Sequence, residues 1–264
     1  MPSSDTRAVE LKDVSVNYGR IEAVKDTNLA FSHGSTVAII GPNGSGKSTL
    51  LSLISGLIRP THGRVVVHCA NGRARRHAVA HVLQTTIANS ALPITVRETV
   101  RMGTYGHLGM VRRMQAKDRT AVEDSIDRMR IGDLVNRQLH ELSGGQRQRV
   151  YVAQGLAQQA PVLLLDEPIT GLDLMSQETI TEVIDQERDA GRTVILTTHD
   201  VGTARLADHV VLMATSPVAS GPPQIALTPQ TMAEAYGRHA HVLDDGTVVL
   251  DEPHHHHPVK EPGA

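Results

Sequence analysis

Short runs of apolar residues recur along the chain and predict buried strands. The first is "STVAIIG" (Ser35–Gly41), followed far downstream by "PVLLLDE" (Pro161–Glu167), "TVILTTH" (Thr193–His199) and "HVVLMA" (His209–Ala214). Continuous apolar runs of this length are typical of strands buried on both faces. Because helical patterns separate them, the chain is predicted to form an α/β fold with a mostly parallel sheet covered by helices.

Two other stretches have the periodicity of helices. After the first strand, leucine and isoleucine recur at the spacing of one helix face, at Leu50, Leu53, Ile54 and Leu57. A longer helical region, about residues 88–158, begins with a capping box formed by Thr95 and Glu98. Further along it, one face carries Val122, Ile126 and Met129. This region is predicted to be a helical insertion in the α/β core.

Composition and charge exclude several classes of protein. The chain of 264 residues has a net charge of −2, one cysteine, one Phe, four Tyr and no Trp. This balance argues against a nucleic-acid partner, and a single cysteine cannot form an internal disulfide. No apolar run approaches the ~18 to 20 residues of a membrane helix, and no signal peptide is recognised at the start. We therefore expect a soluble, cytoplasmic chain of one large domain or two small ones.

The segment "GPNGSGKST" has the spacing G-x-x-x-x-G-K-[ST] of a phosphate-binding loop, between a predicted strand and a predicted helix. Its glycines allow backbone N–H groups to surround a phosphate, and the helix N-terminus adds partial positive charge. Lys47 is expected to reach the β- and γ-phosphates, and the Ser48 hydroxyl to bind Mg²⁺. The candidate nucleotide-binding residues are Gly41, Asn43, Gly44, Gly46, Lys47, Ser48 and Thr49.

Polar side chains at the ends of two later strands fit ATP hydrolysis. Asp166 ends the run "VLLLD", where a carboxylate can hold Mg²⁺, and Glu167 can orient a water for attack on the γ-phosphate. Both lie at the carboxyl edge of the predicted sheet, where ligands bind in open α/β folds. His199, which ends "TVILTTH", can hydrogen-bond the γ-phosphate, although a lone histidine is more often structural.

A second glycine-rich loop, "LSGGQ" (Leu142–Gln146), precedes another helical run. Ser143 to Gln146 has the form of a capping box, and such a helix N-terminus can bind an anion. A plain helix cap with glycines for a tight turn explains these four residues on their own. The combination of this loop with "GPNGSGKST" and "VLLLDE" favours the anion site.

Together these motifs resemble the nucleotide-binding subunit of ATP-binding cassette (ABC) transporters over about residues 8–235. "GPNGSGKST" is similar to the Walker A loop, "LSGGQRQRV" to the family signature and "VLLLDEP" to Walker B. The resemblance implies an ATPase with a P-loop NTPase core, a mostly parallel sheet, an N-terminal antiparallel β subdomain and an inserted α-helical subdomain. The expected ATPase domain spans residues 5–235, and residues 236–264 form a C-terminal extension with a His-rich tail.

The resemblance also implies roles for single residues. Glu167 is the expected catalytic carboxylate and His199 the switch histidine. Gln84, in "HVLQ", is similar to the Q-loop residue that touches Mg²⁺ together with Ser48 and Asp166. The implied ligands are therefore ATP and Mg²⁺.

In this family two subunits dimerise head to tail, and the signature of each contacts the nucleotide held by the other. The residues expected to contact a neighbour's ATP are Ser143, Gly144, Gly145 and Gln146. Asp173, in "TGLD", is expected at the subunit interface, and a homodimer follows. Tyr18, in "VNYG", is expected to stack on adenine, although a single tyrosine is also compatible with a core position.

Two further segments indicate the kind of transporter. "LPITVRETVRMGTYGHLGMVRR" and "GPPQIALTPQTMAEAYG" look like the ATPase subunits of zinc, manganese or iron-chelate importers. This implies a bacterial subunit at the cytoplasmic face of the inner membrane, serving an integral-membrane permease and an extracytoplasmic metal-binding protein. The permease is expected to dock between Thr85 and about Arg113. An exporter ATPase would share every catalytic residue, so the ATPase subunit of an exporter, or of an importer for another substrate, remains an alternative.

The chain departs from the family pattern at three places; the first two touch no catalytic position, and the third leaves the path of the chain after the last core strand open. Ile169 replaces a small polar residue in "DEPITGLD", Leu83 precedes Gln84 where proline is common, and "VLMATSPVASGPP" lacks the usual glycine turn.

Histidine is the compositional outlier, with 15 copies, and His254, His255, His256 and His257 stand in a row. Imidazoles at this density can bind Zn²⁺, and His239 and His241 are near in sequence. A regulatory metal sensor, a solvated tail, an expression tag and a chance cluster remain open. We expect the tail to be disordered.

Overall fold

The computed structural model of the chain describes residues 7–68, 78–83, 93–108, 113–237, 240–242 and 248–250. Within these ranges the strands are β1 (Arg7–Tyr18), β2 (Ile21–Ser32), β3 (Thr36–Ile40), β4 (His62–Val67), β5 (Val79–Val82), β6 (Val162–Leu165), β7 (Thr193–Thr198), β8 (His209–Ala214), β9 (Ser216–Gly221), β10 (Ala240–Val242) and β11 (Val248–Leu250). The α-helices are α1 (Lys47–Ser55), α2 (Val96–Met102), α3 (Tyr105–Leu108), α4 (Ala116–Arg128), α5 (Gly144–Ala157), α6 (Leu174–Asp189), α7 (Val201–Arg205), α8 (Pro223–Ala226) and α9 (Pro229–Tyr236).

A six-stranded sheet with the order β5-β6-β7-β3-β8-β9 forms the centre of the fold. Its neighbours pair in parallel, except that β9 runs antiparallel to β8. The four apolar runs of the sequence are its strands β3, β6, β7 and β8. The predicted α/β fold with a mostly parallel sheet is therefore confirmed.

Both faces of this sheet are buried, as the unbroken apolar runs predict. On β3, Val37 and Ile39 belong to the core that includes α1 and the strands of a second sheet. Ala38 and Ile40 point to the opposite core, which includes α5, α6 and the helical region. The second sheet has the order β2-β1-β4 and is antiparallel, so the N-terminal antiparallel subdomain is confirmed too.

The region between β5 and β6 is helical where the structure describes it. Thr95 caps α2 in a capping box with Glu98, as predicted. Val122, Ile126 and Met129 are buried in the core that joins α2, α4 and α5. In the described part of the chain, none of the helices combines the length and apolar character that crossing a bilayer requires.

One prediction on α1 is wrong. Leu50, Leu53 and Ile54 are buried, but Leu57 is 64% exposed. The helix ends at Ser55 because Gly56 takes the left-handed conformation, with φ at 76°, and its N–H bonds the carbonyl of Leu53. Such a glycine terminates a helix at little steric cost, so the chain leaves the helix before Leu57 can join its buried face.

Candidate nucleotide site

The carboxyl ends of three neighbouring strands form one edge of the central sheet. β3 leads into the glycine loop, β6 into Asp166 and Glu167, and β7 into His199. β7 pairs with both β3 and β6, so the three segments are adjacent. The structure therefore brings the residues predicted from separate motifs to the edge where ligands bind in α/β sheets.

The shape of the glycine loop depends on glycine at two contacts. A Cβ on Gly41 would lie 2.1 Å from the carbonyl oxygen of Met213 in β8. A Cβ on Gly46, where φ is 97°, would lie 2.4 Å from the carbonyl oxygen of Ala23 in β2. Both contacts are with backbone atoms, which cannot move aside as a flexible side chain can, so a larger residue would not fit at either position. The loop is thus held between the central sheet and the antiparallel sheet, while Gly44 at its outer turn is exposed.

A turn far along the chain braces this loop. Between β8 and β9, the N–H of Thr215 donates to the carbonyl of Ser45 over 3.0 Å, and its own carbonyl accepts from the N–H of Lys25 over 3.0 Å. Thr215 has a φ of 69°, so a threonine takes the left-handed conformation that glycine adopts most readily. That conformation costs a non-glycine residue about 1–2 kcal/mol. The segment that lacks the expected glycine turn therefore still forms a hairpin, with Thr215 in the left-handed position.

Lys47 opens α1 and is buried at the centre of the loop. Its Nζ donates to the carbonyl oxygens of Gly41 over 2.8 Å and Pro42 over 3.1 Å. Burial lowers the pKa of the Lys47 amine, and the charges of Glu167 and Asp166 oppose that shift. Gly46, at the N-cap, has no side chain to cap the helix, so N–H groups of the first turn face the loop. The arrangement concentrates N–H and ammonium donors where a phosphate can accept them.

Asp166 accepts hydrogen bonds from hydroxyl groups on two different elements. Its Oδ1 accepts from Ser48 Oγ in α1 over 3.2 Å and from Thr197 Oγ1 in β7 over 2.5 Å. The Asp166 N–H donates to the carbonyl of Val82 at the end of β5 over 2.9 Å. A carboxylate beside a hydroxyl is the oxygen donor set that Mg²⁺ prefers, so these residues fit the ion that the fold family implies.

Glu167 is held in a strained backbone conformation beside His199. Its φ is 47°, and its N–H donates to Thr197 Oγ1 over 2.9 Å. The Nδ1 of His199 lies 3.9 Å from Glu167 Oε2, and both side chains are partly open to solvent. Strain of this kind in a non-glycine residue persists only where its surroundings enforce it, as they often do at functional sites.

Thr197 is the residue that the motifs did not reveal. Its hydroxyl donates to Asp166 and accepts from Glu167, so it sets the spacing of the two acidic residues. A signal is present in the sequence, because "TVILTTH" ends its apolar run with two threonines. A buried hydroxyl in an apolar strand needs a partner, and here the partner is the neighbouring strand end.

Tyr18 ends β1 at the hairpin that leads into β2. Its side chain is 53% exposed, which rules out the core position considered for it. The hairpin borders the glycine loop, because Ala23 of β2 lies against Gly46. An exposed aromatic ring at this place can present its face to a base.

The second glycine loop forms the N-terminus of α5. Ser143 Oγ accepts from the N–H of Gln146 over 3.2 Å, and Gln146 Oε1 accepts from the N–H of Ser143 over 3.0 Å, so the predicted capping box is present. Ser143 and Gly144 are exposed. A Cβ on the buried Gly145 would lie 2.4 Å from Asp173 Oδ2, so this glycine permits close packing of α5 on the loop before α6.

Asp173 uses its carboxylate within its own chain. Oδ1 accepts from the N–H of Ser176 over 2.9 Å and Oδ2 from its hydroxyl over 2.8 Å, which caps α6. The hydrogen bond from the Ser176 backbone lowers the pKa of Asp173. The residue is exposed, so the same side chain remains accessible to another molecule.

Several predicted residues lie outside the described ranges, namely Gln84, His239, His254, His255, His256 and His257. The chain before Gln84 is described up to Leu83, which follows β5 beside β6. For His241, only the backbone is described, in β10. The described residues contain no group of three or more His, Cys, Asp or Glu arranged to hold a metal ion.

A groove of about 510 Å³ opens beside β5, between α2–α3 and α5. Its walls include Leu83, Met102, Gly103, Gly106, Tyr151 and Gln154. Leu83 is 52% and Met102 44% exposed, so the groove presents apolar surface to solvent. Of these wall residues, Met102, Gly103 and Gly106 belong to the stretch expected to dock a partner, Thr85 to about Arg113, whereas the others lie outside it.

Comparison with known proteins agrees with these motifs. A family profile described as "ABC transporter" matches residues 24–170. The chelated iron transport system membrane protein YfeB of Yersinia pestis is 36% identical over 90% of this chain and 82% of its own. The manganese transport system ATP-binding protein MntB of Listeria monocytogenes is 34% identical, over 87% and 96%. The zinc transport system ATP-binding protein TroB of Treponema pallidum is 34% identical, over 89% and 89%.

Solved structures show the same likeness. A metal-chelate type ABC transporter in an inward-facing conformation superposes with a TM-score of 0.76 and 25% identity, covering 87% of this chain and 89% of that one. A dimeric bacterial ABC transporter cassette gives a TM-score of 0.71 and 29% identity, covering 81% and 98%. The chain therefore belongs to the ABC transporter family, as an ATP-binding subunit similar to those of metal transport systems.

Proposed function

We propose that this ATPase powers the import of a metal ion, manganese or zinc, through a separate membrane permease. One observation carries the proposal: phosphate-binding and acidic residues converge at one sheet edge, in a chain whose relatives along most of its length serve manganese, zinc and iron-chelate transport systems. The converging residues are Lys47, Ser48, Asp166, Glu167 and His199.

In the proposed site the glycine loop binds the phosphates of ATP. Lys47 reaches the β- and γ-phosphates, and the N–H groups from Gly41 to Thr49 surround the β-phosphate. Ser48, Asp166 and Gln84 hold Mg²⁺. When bound, this ion neutralises negative charge on the phosphates. The contact between Ser48 and Asp166 over 3.2 Å supports their pairing as ligands.

Glu167 and His199 act on the γ-phosphate side. Glu167 accepts a hydrogen bond from the attacking water and orients it for in-line attack. His199 donates to the γ-phosphate and loses that contact once the phosphate leaves. Their separation of 3.9 Å supports action on the same group. Tyr18, exposed on the hairpin beside the loop, stacks on adenine.

The second glycine loop is proposed to serve a neighbour. Ser143 offers a hydroxyl, Gly144 and Gly145 offer N–H groups and Gln146 a side-chain amide at the N-terminus of α5, which favours an anion. A homodimer places this end against the ATP held by the other subunit, with Asp173 at the interface. Closure on ATP and release after hydrolysis follow as a ligand-driven shift between two states.

The groove beside β5 is proposed to receive the permease. Its walls present apolar surface to solvent, as protein–protein contact sites do, and the Asp166 N–H donates to the carbonyl of Val82 at the end of β5. A partner seated in the groove is thus one strand away from the proposed Mg²⁺ ligands. We further propose that the subunit works at the cytoplasmic face of the inner membrane and that an extracytoplasmic protein delivers the metal to the permease.

Purification from native membranes in mild detergent tests this function. The partner is identified by mass spectrometry, and ATP turnover of the complex is measured with Mn²⁺, Zn²⁺ or Fe²⁺ and the matching binding protein. We expect a multi-span permease and turnover that one metal stimulates. If none of the three metals changes the ATP turnover of the complex, metal import is refuted, but the proposed ATPase chemistry is not.

The histidines at 254–257 are proposed as a Zn²⁺ site separate from catalysis. Calorimetry compares Zn²⁺ binding by the full chain and by a chain that ends at Leu250. Equal binding by the two would remove the tail from any metal function.

A further inference from the structure

A second, smaller cavity lies in the helical region on the other side of α2. It measures about 200 Å³ and is lined by Arg97, Arg101, Met114, Arg119, Val122 and Glu123. Arg97 and Arg101 come from α2, and Arg119 and Glu123 from α4. We call this cavity the arginine pocket. Three guanidinium groups against one carboxylate make it strongly basic in a chain whose net charge is −2.

Among the residues that the structure describes, one of the three arginines is neutralised. Arg97 forms an ion pair with Glu123 across the two helices. Arg101 and Arg119 are exposed, and within the described ranges neither guanidinium has an ion pair. Glu98 is the carboxylate one helical turn before Arg101, but it accepts a hydrogen bond from the N–H of Thr95. That bond is the main cause of the lowered pKa of Glu98, and the charge of Arg101 contributes less. Two positive charges therefore remain for a ligand.

The size and walls of the pocket define that ligand. Small-molecule sites usually measure about 300–1,000 Å³, so this cavity fits a single side chain or a small anion. Guanidinium groups pair with planar carboxylates through two parallel hydrogen bonds. Val122 is buried and Met114 half-buried, so the wall also accepts the methylene groups of an Asp or Glu side chain.

The position of the pocket indicates where the carboxylate comes from. Arg101 lines the arginine pocket, and the next residue, Met102, lines the groove proposed for the permease. The two cavities are thus separated by the width of one helix, about 10 Å. Cytoplasmic loops of membrane proteins are enriched in Lys and Arg, which this pocket would repel. A permease that docks here needs an acidic residue at the matching place, and such a charge match discriminates between partners.

We propose that the arginine pocket receives an Asp or Glu side chain of the permease segment that docks in the adjacent groove, and so selects the cognate permease. This rests on the proposed function. Arg101 and Arg119 supply the attraction, while Arg97 and Glu123 hold the two helices that form the pocket.

Binding of the full chain to its permease in detergent tests the proposal. The variants are Arg101→Glu with Arg119→Glu, and the control Arg64→Glu, an exposed arginine on β4 with no ion pair among the described residues. We expect the double variant to keep the ATP turnover of the isolated subunit and to bind the permease at least tenfold more weakly. The control should bind as the unaltered chain does. The difference should shrink as salt rises from about 0.05 to about 0.3 M, because screening strengthens over that range.

A charge swap identifies the partner residue. Each acidic residue of the permease's cytoplasmic loops is changed to Lys, and one such change should restore binding by the double variant. Unchanged affinity in the double variant, or an equal loss in Arg64→Glu, would overturn the proposal. The proposal would also be overturned if the double variant bound the permease as tightly as the unaltered chain does but no longer bound phosphatidylglycerol vesicles or inorganic phosphate. If the unaltered chain binds no permease, the proposed function itself fails.

Discussion

Thr197 offers a direct test of how the site is held. Its hydroxyl accepts from the N–H of Glu167 over 2.9 Å and donates to Asp166 over 2.5 Å, and the residue is fully buried. Thr197→Val keeps the shape and removes both bonds. Asp166 Oδ1 still accepts from Ser48 Oγ, whereas the N–H of Glu167 loses its acceptor. A buried polar group left without a partner costs about 1–3 kcal/mol, so the free energy of unfolding should fall by about that amount.

The same change should affect chemistry more than nucleotide binding. Glu167 has a φ of 47°, and the bond to Thr197 is part of what holds that conformation. Without it, we expect the carboxylate to spend less time in position, and kcat to fall about tenfold, which corresponds to about 1.4 kcal/mol in the barrier. KM for ATP should change little, because Lys47 and its loop are untouched.

Thr193→Val is the matched control. Thr193 lies at the other end of β7, is equally buried, and its hydroxyl accepts from the N–H of Gly34 over 3.1 Å. Urea unfolding and steady-state ATP turnover are measured for both variants. Both should lose stability, but only Thr197→Val should lose kcat. Normal kcat in Thr197→Val, or the same loss in Thr193→Val, would refute the positioning role of Thr197.

Other expectations follow from the same geometry. Glu167→Gln should nearly abolish hydrolysis yet bind ATP and accumulate as a dimer on size-exclusion chromatography; normal turnover would exclude Glu167 as the residue that orients water. Lys47→Ala should weaken ATP binding in calorimetry by about 1.5–3 kcal/mol, the worth of a charged hydrogen bond; unchanged affinity would contradict its phosphate role. Thr215→Gly should raise the free energy of unfolding by up to about 1 kcal/mol, because glycine takes a positive φ without strain, whereas Thr215→Pro should raise KM for ATP by freeing Ser45. Burial lowers the pKa of His209, so the unfolded chain takes up its proton first as pH falls below 6.5 and stability is lost towards acid; His209→Gln should flatten urea midpoints between about pH 7.5 and 5.5, and an unaltered slope would contradict that assignment.

The central fold could be predicted because the continuous apolar runs, separated by helical patterns, indicate strands of a parallel sheet. β3, β6, β7 and β8 are continuous apolar strands, and a strand without polar alternation must be covered on both faces. The motifs then predicted which strand ends carry chemistry. Local capping was also predictable, since Thr95 and Ser143 each have a partner three residues later.

Other features depend on contacts that no local pattern encodes. Thr197 acts on Asp166 across two neighbouring strands, so its role depends on strand order. The bond from Thr215 to Ser45 joins segments far apart in sequence, and only the fold makes them neighbours. The arginine pocket needs α2 and α4 side by side. Leu57 was predicted from helical periodicity to lie on the buried face of α1. That periodicity takes no account of Gly56, which ends the helix before Leu57.

The strand order also constrains how the protein matures. β3, encoded early, pairs on one side with β7 and on the other with β8, so Thr36 lies beside Val194 and Val37 beside His209. Contacts between residues so distant in sequence form slowly, and a chain growing from the ribosome cannot form them until its later part has emerged. The glycine loop is therefore synthesised well before β7 and β8, the two strands that flank β3. We expect interrupted chains that end before β7 to bind ATP more weakly than the full chain, because β3 and its glycine loop then lack both neighbouring strands.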